Sequence, residues 1–411
     1  MVATNTKRET SFVEFVLIAS LMMSLTALSI DAMLPALSQI GTDLVVENVN
    51  DRQLIVSTLF LGLALGQLFF GPLSDSTGRK PAVYLGYAFY ILGALISALT
   101  GSFTVMLFGR LLQGVGGSAP RAITLALVRD RYSGRMMARV MSFVMTIFIL
   151  IPMIAPTLGQ VILLTAGWRA IFLAFVSIAC ISVAWFALRM PETLAPERRA
   201  PFSLRRISGA TITVLKNRQA FGYTISTGLI GGAFLGYLSS AQQIFQELYG
   251  LGELFPVIFS VVAISIGAAS FSNARLVMRF GMQFLVNWSL RAILLLALIA
   301  LGVAVLTEGQ PPLWFLMTYL ITSFFGVGLL FGNQNALAME PLGNLAGMGA
   351  AIVGSLSTLI QMPIGTVIGQ NYNETIIPLI LGIASMAALS IVVVNWAEAG
   401  ASSSSPLVAE D

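Results

Sequence analysis

The stretch "SIDAMLPALSQI" (residues 29–40) sets one carboxylate, Asp31, in an apolar run from Phe15 to Leu37, with no other charge between Glu14 and Asp43. A charged group at mid-bilayer costs roughly 2.5–3.5 kcal/mol on insertion scales, so its presence there asks for a function. The chemistry it offers is proton exchange. The chain has no histidine, and the usual carrier near neutral pH is therefore missing. Burial raises a carboxyl pKa and a neighbouring arginine lowers it, so a group held between the two can titrate at physiological pH. Arg110, in "GRLLQGVGGSAPRAITLALVRDRY" (109–132), is a candidate companion. An arginine this deep needs a partner or a water-filled cavity. A plainer reading stays open at each position. Asp31 can simply bond a polar neighbour such as Ser29, and Pro35, which frees a backbone carbonyl nearby, suits such a structural role. Arg110 can snorkel to the near face, about two turns away at Ser102.

Other chemistries have little to work with. Cys180 is the single cysteine, which rules out a disulfide or a thiolate metal site within one chain. Without histidine or paired buried carboxylates, metal and acid–base catalysis lack their groups. No G-x-x-x-x-G-K-[ST] phosphate loop is present. Neither an enzyme nor a nucleotide-driven pump is expected, and no metal or other cofactor.

The elements that must position these residues follow from composition. The chain is 57% hydrophobic and 10% charged, against about 25% charged in soluble domains. Stretches of ~20 apolar residues span a bilayer as helices. Twelve such segments are expected, at 13–38, 53–74, 81–100, 103–128, 138–164, 169–189, 220–246, 252–272, 283–306, 312–338, 346–370 and 375–397. With both termini cytoplasmic, 17 of the 22 Lys and Arg, Lys7 and Arg8 among them, fall on the cytoplasmic side. Only Arg52 and Arg169 fall outside, and Arg110, Arg121 and Arg291 lie within segments. That bias sets the orientation. The net charge of +4 is then a topology signal, and no nucleic-acid partner is expected.

The charged stretch 190–219 divides the chain into an all-α six-helix bundle (1–189) and a second one (220–398), followed by a disordered tail (399–411). A faint repeat supports the division. "GPLSDSTGRKPA" (71–82) follows the second segment and "SNARLVMRFGMQ" the eighth, each placing arginines near a glycine. Two such halves with a substrate site between them form a common secondary-transporter plan. In the first of these loops Gly71 and Pro72 allow a tight exit from the helix. Asp75 is expected near the positive end of the next helix, where a carboxylate is favoured.

The motif G-x-L-x-D-x-x-G-R-K-P in 71–81 resembles motif A of the major facilitator superfamily, with Ser76 in place of the usual basic residue. That resemblance implies that Asp75, Gly78, Arg79 and Lys80 latch the two halves in the outward-open state. Arg110, Gln113 and Gly114 match the R-x-x-Q-G core of motif B, whose arginine is tied to proton coupling. "LIPMIAPTLGQVI" (150–162) resembles the antiporter motif C, with Ala155 and Gln160 in place of two glycines. Kinks at Pro156 and Gly159 would shape that helix for rocking. The A-P-x-x-G form, "SIDAMLPALSQI", "PETLAPERR" and "NALAMEPLGNLAGMGAAIVGSL" (335–356) together resemble the bicyclomycin-resistance (Bcr/CflA) group of drug:proton antiporters.

The resemblance, which covers nearly the whole chain, implies a twelve-helix major facilitator fold. It also implies a bacterial inner-membrane location, monomeric function, and export of small amphipathic compounds against protons by alternating access. In that fold the cavity is lined mainly by helices one, four, seven and ten. Candidates there are Met33, Gln113, Arg121, Tyr223, Tyr237, Gln242, Asn333, Gln334 and Asn335. Met22, Met23 and Met33, with the Phe324/Phe325 pair, would give an adaptable apolar surface. The alternative is a metabolite or siderophore transporter of the same fold, or a uniporter without proton coupling at Asp31.

Overall fold

The computed structural model describes residues 10–399; Lys7, Arg8 and the tail from residue 400 lie outside the described residues. Twelve helices of 20–33 residues dominate, each at least about 30 Å long at 1.5 Å per residue. They are α1 (Phe12–Asp31), α2 (Leu54–Thr77), α3 (Arg79–Leu99), α4 (Phe103–Arg131), α5 (Gly134–Ala166) and α6 (Trp168–Arg189) in the first half. The second half holds α7 (Arg218–Gln242), α8 (Phe255–Phe280), α9 (Met282–Leu306), α10 (Leu313–Met339), α11 (Ala346–Gln370) and α12 (Ile377–Ala399). No strand occurs among the described residues.

Ten of the twelve are long and apolar enough to cross a membrane by length and composition. The exceptions are α4, which carries Arg110, Gln113 and Arg121, and α7, which is rich in Gly, Ser and Gln. Arg110 and Gln113 of α4 and most of the polar residues of α7 are buried against neighbouring helices, whereas Arg121 is exposed. In the first half α1 packs on α4 and α5, α2 and α3 flank α4, and α3 packs on α6. The second half repeats this pattern: α7 packs on α10 and α11, α8 and α9 flank α10, and α9 packs on α12. The halves meet along two seams, α2 with α11 and α5 with α8, which are again equivalent pairs. The architecture is two six-helix bundles related by a pseudo-two-fold axis.

Two sequence readings need correction here. Gly71 and Pro72 do not end a helix, because α2 continues to Thr77 with Pro72 inside it. The turn falls at Gly78, whose φ of 104° and ψ of 165° suit a residue without a Cβ. Likewise "SNARLVMRF" is the last part of α8, and the turn there is Gly281, at φ 79° and ψ 160°. The repeat is thus in the turn geometry more than in the letters around it.

Consecutive helices run antiparallel, so Arg79, Lys80, Arg129, Arg131, Arg189 and Arg279 gather at one end of the bundle, the basic face. The linker crosses this face as an irregular strap, then as a short helix, Leu204–Lys216, that lays Ala210 and Val214 inward against α7 and α11.

Candidate functional site

At the basic face Arg79 donates from Nη1 to Asp75 Oδ1 at 2.6 Å and from Nε to Asp130 Oδ2 at 2.8 Å. Lys80 Nζ donates to the carbonyls of Met190 and Ala187 at the end of α6, at 2.9 and 3.1 Å. These contacts stay within the first half. Asp75 lies in the last turn of α2 rather than at the start of α3. The carboxylate that caps α3 is Glu192, whose oxygens accept from the backbone N–H groups of Arg79 and Lys80, both at 2.9 Å. Burial pushes the Glu192 carboxyl up. The backbone N–H donors of Leu194, Lys80, Arg79 and Thr193 outweigh it and hold the group below its ordinary value. A carboxylate depressed in the folded state contributes stability at neutral pH that is lost as the pH falls through its lowered folded value. Wild type and Glu192→Gln are therefore expected to differ in melting temperature near neutral pH and to converge on acidification.

The opposite, low-charge end is closed across the seam. Arg52 Nη2 bonds both carboxylate oxygens of Glu247 at 2.6 and 2.8 Å. Gln53 bonds Gln243, Asn50 accepts from Gln243 at 2.8 Å, and Asn50 also bonds the carbonyls of Gln370 and Tyr372 at 3.0 and 2.8 Å. Charge-assisted pairs of this geometry are the stronger kind. Separating spin labels placed on either side of this seam is expected to give longer distances in Glu247→Gln than in wild type, with Arg52→Gln behaving alike.

Between these ends α1 stops. Asp31 is its last residue, Ala32 and Met33 form a turn, Leu34–Ala36 make one tight turn that includes Pro35, and a short helix, Leu37–Asp43, follows. The segment expected at 13–38 is therefore broken in the membrane, which leaves the last carbonyls of α1 without helical partners. Arg110 answers this. Its Nη2 donates to the Ser29 carbonyl at 3.0 Å, its Nε to the Ile55 carbonyl at 3.1 Å and its Nη1 to Gln113 Oε1 at 2.8 Å, and the residue is 0% exposed. The Phe172 ring lies 5.6 Å from the guanidinium. A cation at a helix C-terminus is favoured by the dipole. Tyr90 shares a hydroxyl contact with Ser29, which also donates to the Leu25 carbonyl at 2.7 Å. Arg110 thus neither snorkels nor pairs with Asp31.

The helix bearing the third motif backs the same break. Along α5, Ala155, Pro156, Gly159 and Gln160 are buried while much of the helix is exposed. A Cβ on Gly159 would overlap the carbonyl oxygen of Ala32. Glycine is what lets α5 lie against the broken backbone.

A cavity of about 240 Å³ opens beside the break, between the two halves. Its wall is mostly aromatic and aliphatic: Phe60, Phe148, Phe234, Phe259, Phe324 and Phe331 dominate. Asp31 lines it, 5% exposed, and forms no hydrogen bond or ion pair among the described residues. Arg121 and Tyr237 also line it. The Tyr237 hydroxyl is buried without a hydrogen-bond partner, its ring stacked 5.8 Å from Phe259 and edge-on to Phe324 at 4.7 Å.

The other residues expected in the cavity lie elsewhere. Gln113 is spent on Arg110, and its Nε2 is buried without a partner. Met22, Met23 and Met33 are core residues. Tyr223 donates to Glu398 Oε1 at 2.6 Å, toward the basic face, and Gln242 donates to Gln246 and Glu247 at the low-charge end. Asn333 pairs with Asn273 at 2.8 Å, Gln334 donates to Ser226 Oγ at 2.7 Å, and Asn335 is exposed outside the cavity lining. Sequence reasoning overlooked Glu192, the Arg52–Glu247 closure, the Ser29–Tyr90 contact and most of the phenylalanine wall. Of these, only Glu192 had a local sign, in "PETLAPERR" beside a predicted helix end.

With this geometry in place, the comparisons are consistent. A family model described as Major Facilitator Superfamily matches residues 12–366. A transporter of that type from Bacillus subtilis, YdgK, described as uncharacterised, is 32% identical over 356 residues, covering 86% of this chain and 87% of its own. The bicyclomycin resistance protein homolog of Haemophilus influenzae is 27% identical over 385 residues, covering 92% and 94%. Among solved structures, the xylose transporter XylE from E. coli superposes with a TM-score of 0.71 at 12% identity, over 93% of this chain and 96% of that one; it shares the fold. A broken first helix, two pseudo-symmetric six-helix bundles and a cavity between them agree with this match, and the chain belongs to the major facilitator superfamily, a multi-pass membrane transporter.

Proposed function

We propose that this protein exports small amphipathic compounds from a bacterial cytoplasm in exchange for protons. One observation carries the reading: the single carboxylate lining the apolar cavity, Asp31, sits at a helix break with no partner for its charge. An unpaired carboxylate in such a wall is neutralised either by a proton or by the polar part of a ligand. Competition of those two for one group is antiport in its simplest form. A proton entering down the membrane potential supplies about 2.3 kcal/mol per 100 mV.

The positive-inside bias makes the basic face cytoplasmic. The Arg52–Glu247 closure then seals the outer side. The latch reading of motif A changes with this. Asp75, Arg79 and Lys80 are bonded within their own half, and in the proposed cycle they join the second half only after the outer seam parts. The drug-resistance relatives support export as the direction. The bicyclomycin resistance protein homolog and a chloramphenicol resistance protein of Pseudomonas aeruginosa are named for small antibiotics.

The test is transport in inverted membrane vesicles across a panel of antibiotics. Accumulation of a compound that collapses on adding a protonophore is expected. Accumulation that is indifferent to the protonophore would leave a uniporter.

A further inference from the structure

The cavity's polar groups are few, and each stands at a definite height. The Thr26 hydroxyl donates to the Gly117 carbonyl at 3.0 Å, which fixes α1 against α4. Asp31 lies five residues beyond Thr26 along α1, and Arg121 four residues beyond Gly117 along the antiparallel α4. At 1.5 Å per residue the two are separated by roughly 13 Å along the axis, less the reach of the arginine. Arg121 is exposed to the cavity and forms no hydrogen bond or ion pair among the described residues. The rest of the wall is aromatic and aliphatic, with Phe60, Phe148 and Phe234 among its rings. An acid at one height, a cation at another and an aromatic wall around them describe the complement of a ligand.

We propose that the substrate class is a zwitterionic amphipath with an aromatic body, its protonated amine at Asp31 and its carboxylate on Arg121. The guanidinium donates two parallel N–H groups to a carboxylate, which a lysine or an amide cannot reproduce. The amine is the part that competes with the proton, so this inference rests on the exchange role of Asp31. Arg121 selects the substrate without taking part in exchange.

The experiment is equilibrium binding by calorimetry to the full-length protein in detergent. The probe is a biphenyl with a para-aminomethyl group on one ring and a para-carboxylate on the other, compared with its methyl ester. Wild type is expected to bind the zwitterion about tenfold more tightly than the ester, the discrimination one charge-assisted pair supplies. Arg121→Gln is expected to lose that preference and bind zwitterion and ester alike, and Arg121→Lys to keep part of it. Size-exclusion profiles identify any variant that fails to fold, and the Lys variant then carries the test. Equal binding of zwitterion and ester by wild type, no binding of either, or an equal weakening of both in the variants would overturn the proposal. No proton movement is read in this assay. If the preference holds but no ligand releases protons, the exchange role of Asp31 falls and the Arg121 anchor stands. If protons are released but the preference is absent, the anchor falls alone.

Discussion

Gly159→Val is expected to abolish transport and to lower the melting temperature by several degrees, although the residue touches neither proton nor substrate. A Cβ at this position would overlap the Ala32 carbonyl oxygen, and that oxygen is backbone, so no rotamer change relieves the clash. Either α5 moves away or the break in α1 reshapes. Overpacking of a close helix contact costs typically 1–3 kcal/mol, and here the displaced backbone is the turn that aims Asp31 into the cavity. Substituting Leu158, exposed on the same helix, is the control. Loss of transport at Gly159 with none at Leu158 supports the close approach. Full activity in Gly159→Val would mean that α5 does not need to lie on the break.

The second large effect is expected at Arg110. Replacing it with methionine keeps the length and removes the donors for the Ser29 carbonyl and Gln113. Each buried acceptor left without a partner costs roughly 1–3 kcal/mol. The dipole at the end of α1 also loses its cation. Arg110→Met is therefore expected to be both inactive and thermally weakened. Arg110→Lys keeps the charge but cannot hold three separate acceptors, so partial stability without full transport is expected. Melting curves and vesicle transport on the same preparations read the two apart. If Arg110→Met melts as wild type does, the capping role is wrong and a direct part in proton transfer becomes the better account.

How much of this was legible in the letters depends on the range of the interaction. Twelve segments mark the helices because hydrophobicity is a local property, and the boundaries agree closely except in the first, which breaks after Asp31, and where backbone continues past a polar stretch, as at "SNARLVMRF". The break at Asp31 had a partial sign in Pro35, which lacks an N–H. The Arg52–Glu247 closure had none. The two residues are 195 positions apart, and each alone reads as an ordinary charged helix end. The cavity wall was misjudged for a related reason. Methionines and phenylalanines both satisfy an apolar face, and only packing decides that Met22 and Met33 enter the core while Phe234 and Phe331 face the cavity. Polar residues misled in the opposite sense. Gln113 is spent on Arg110 of its own helix, and Gln334 and Asn333 on neighbouring helices, as is usual for buried amides.

Proton release bears most directly on the central claim. Purified protein in weakly buffered detergent is mixed with compounds from the antibiotic panel, and the pH is followed for wild type and Asp31→Asn. Coupling at Asp31 predicts that a bound compound releases protons from wild type, and that Asp31→Asn, which imitates the protonated group, binds more weakly and releases none even at concentrations that saturate it. Equal release from both proteins would contradict it and would move the exchange to another carboxylate.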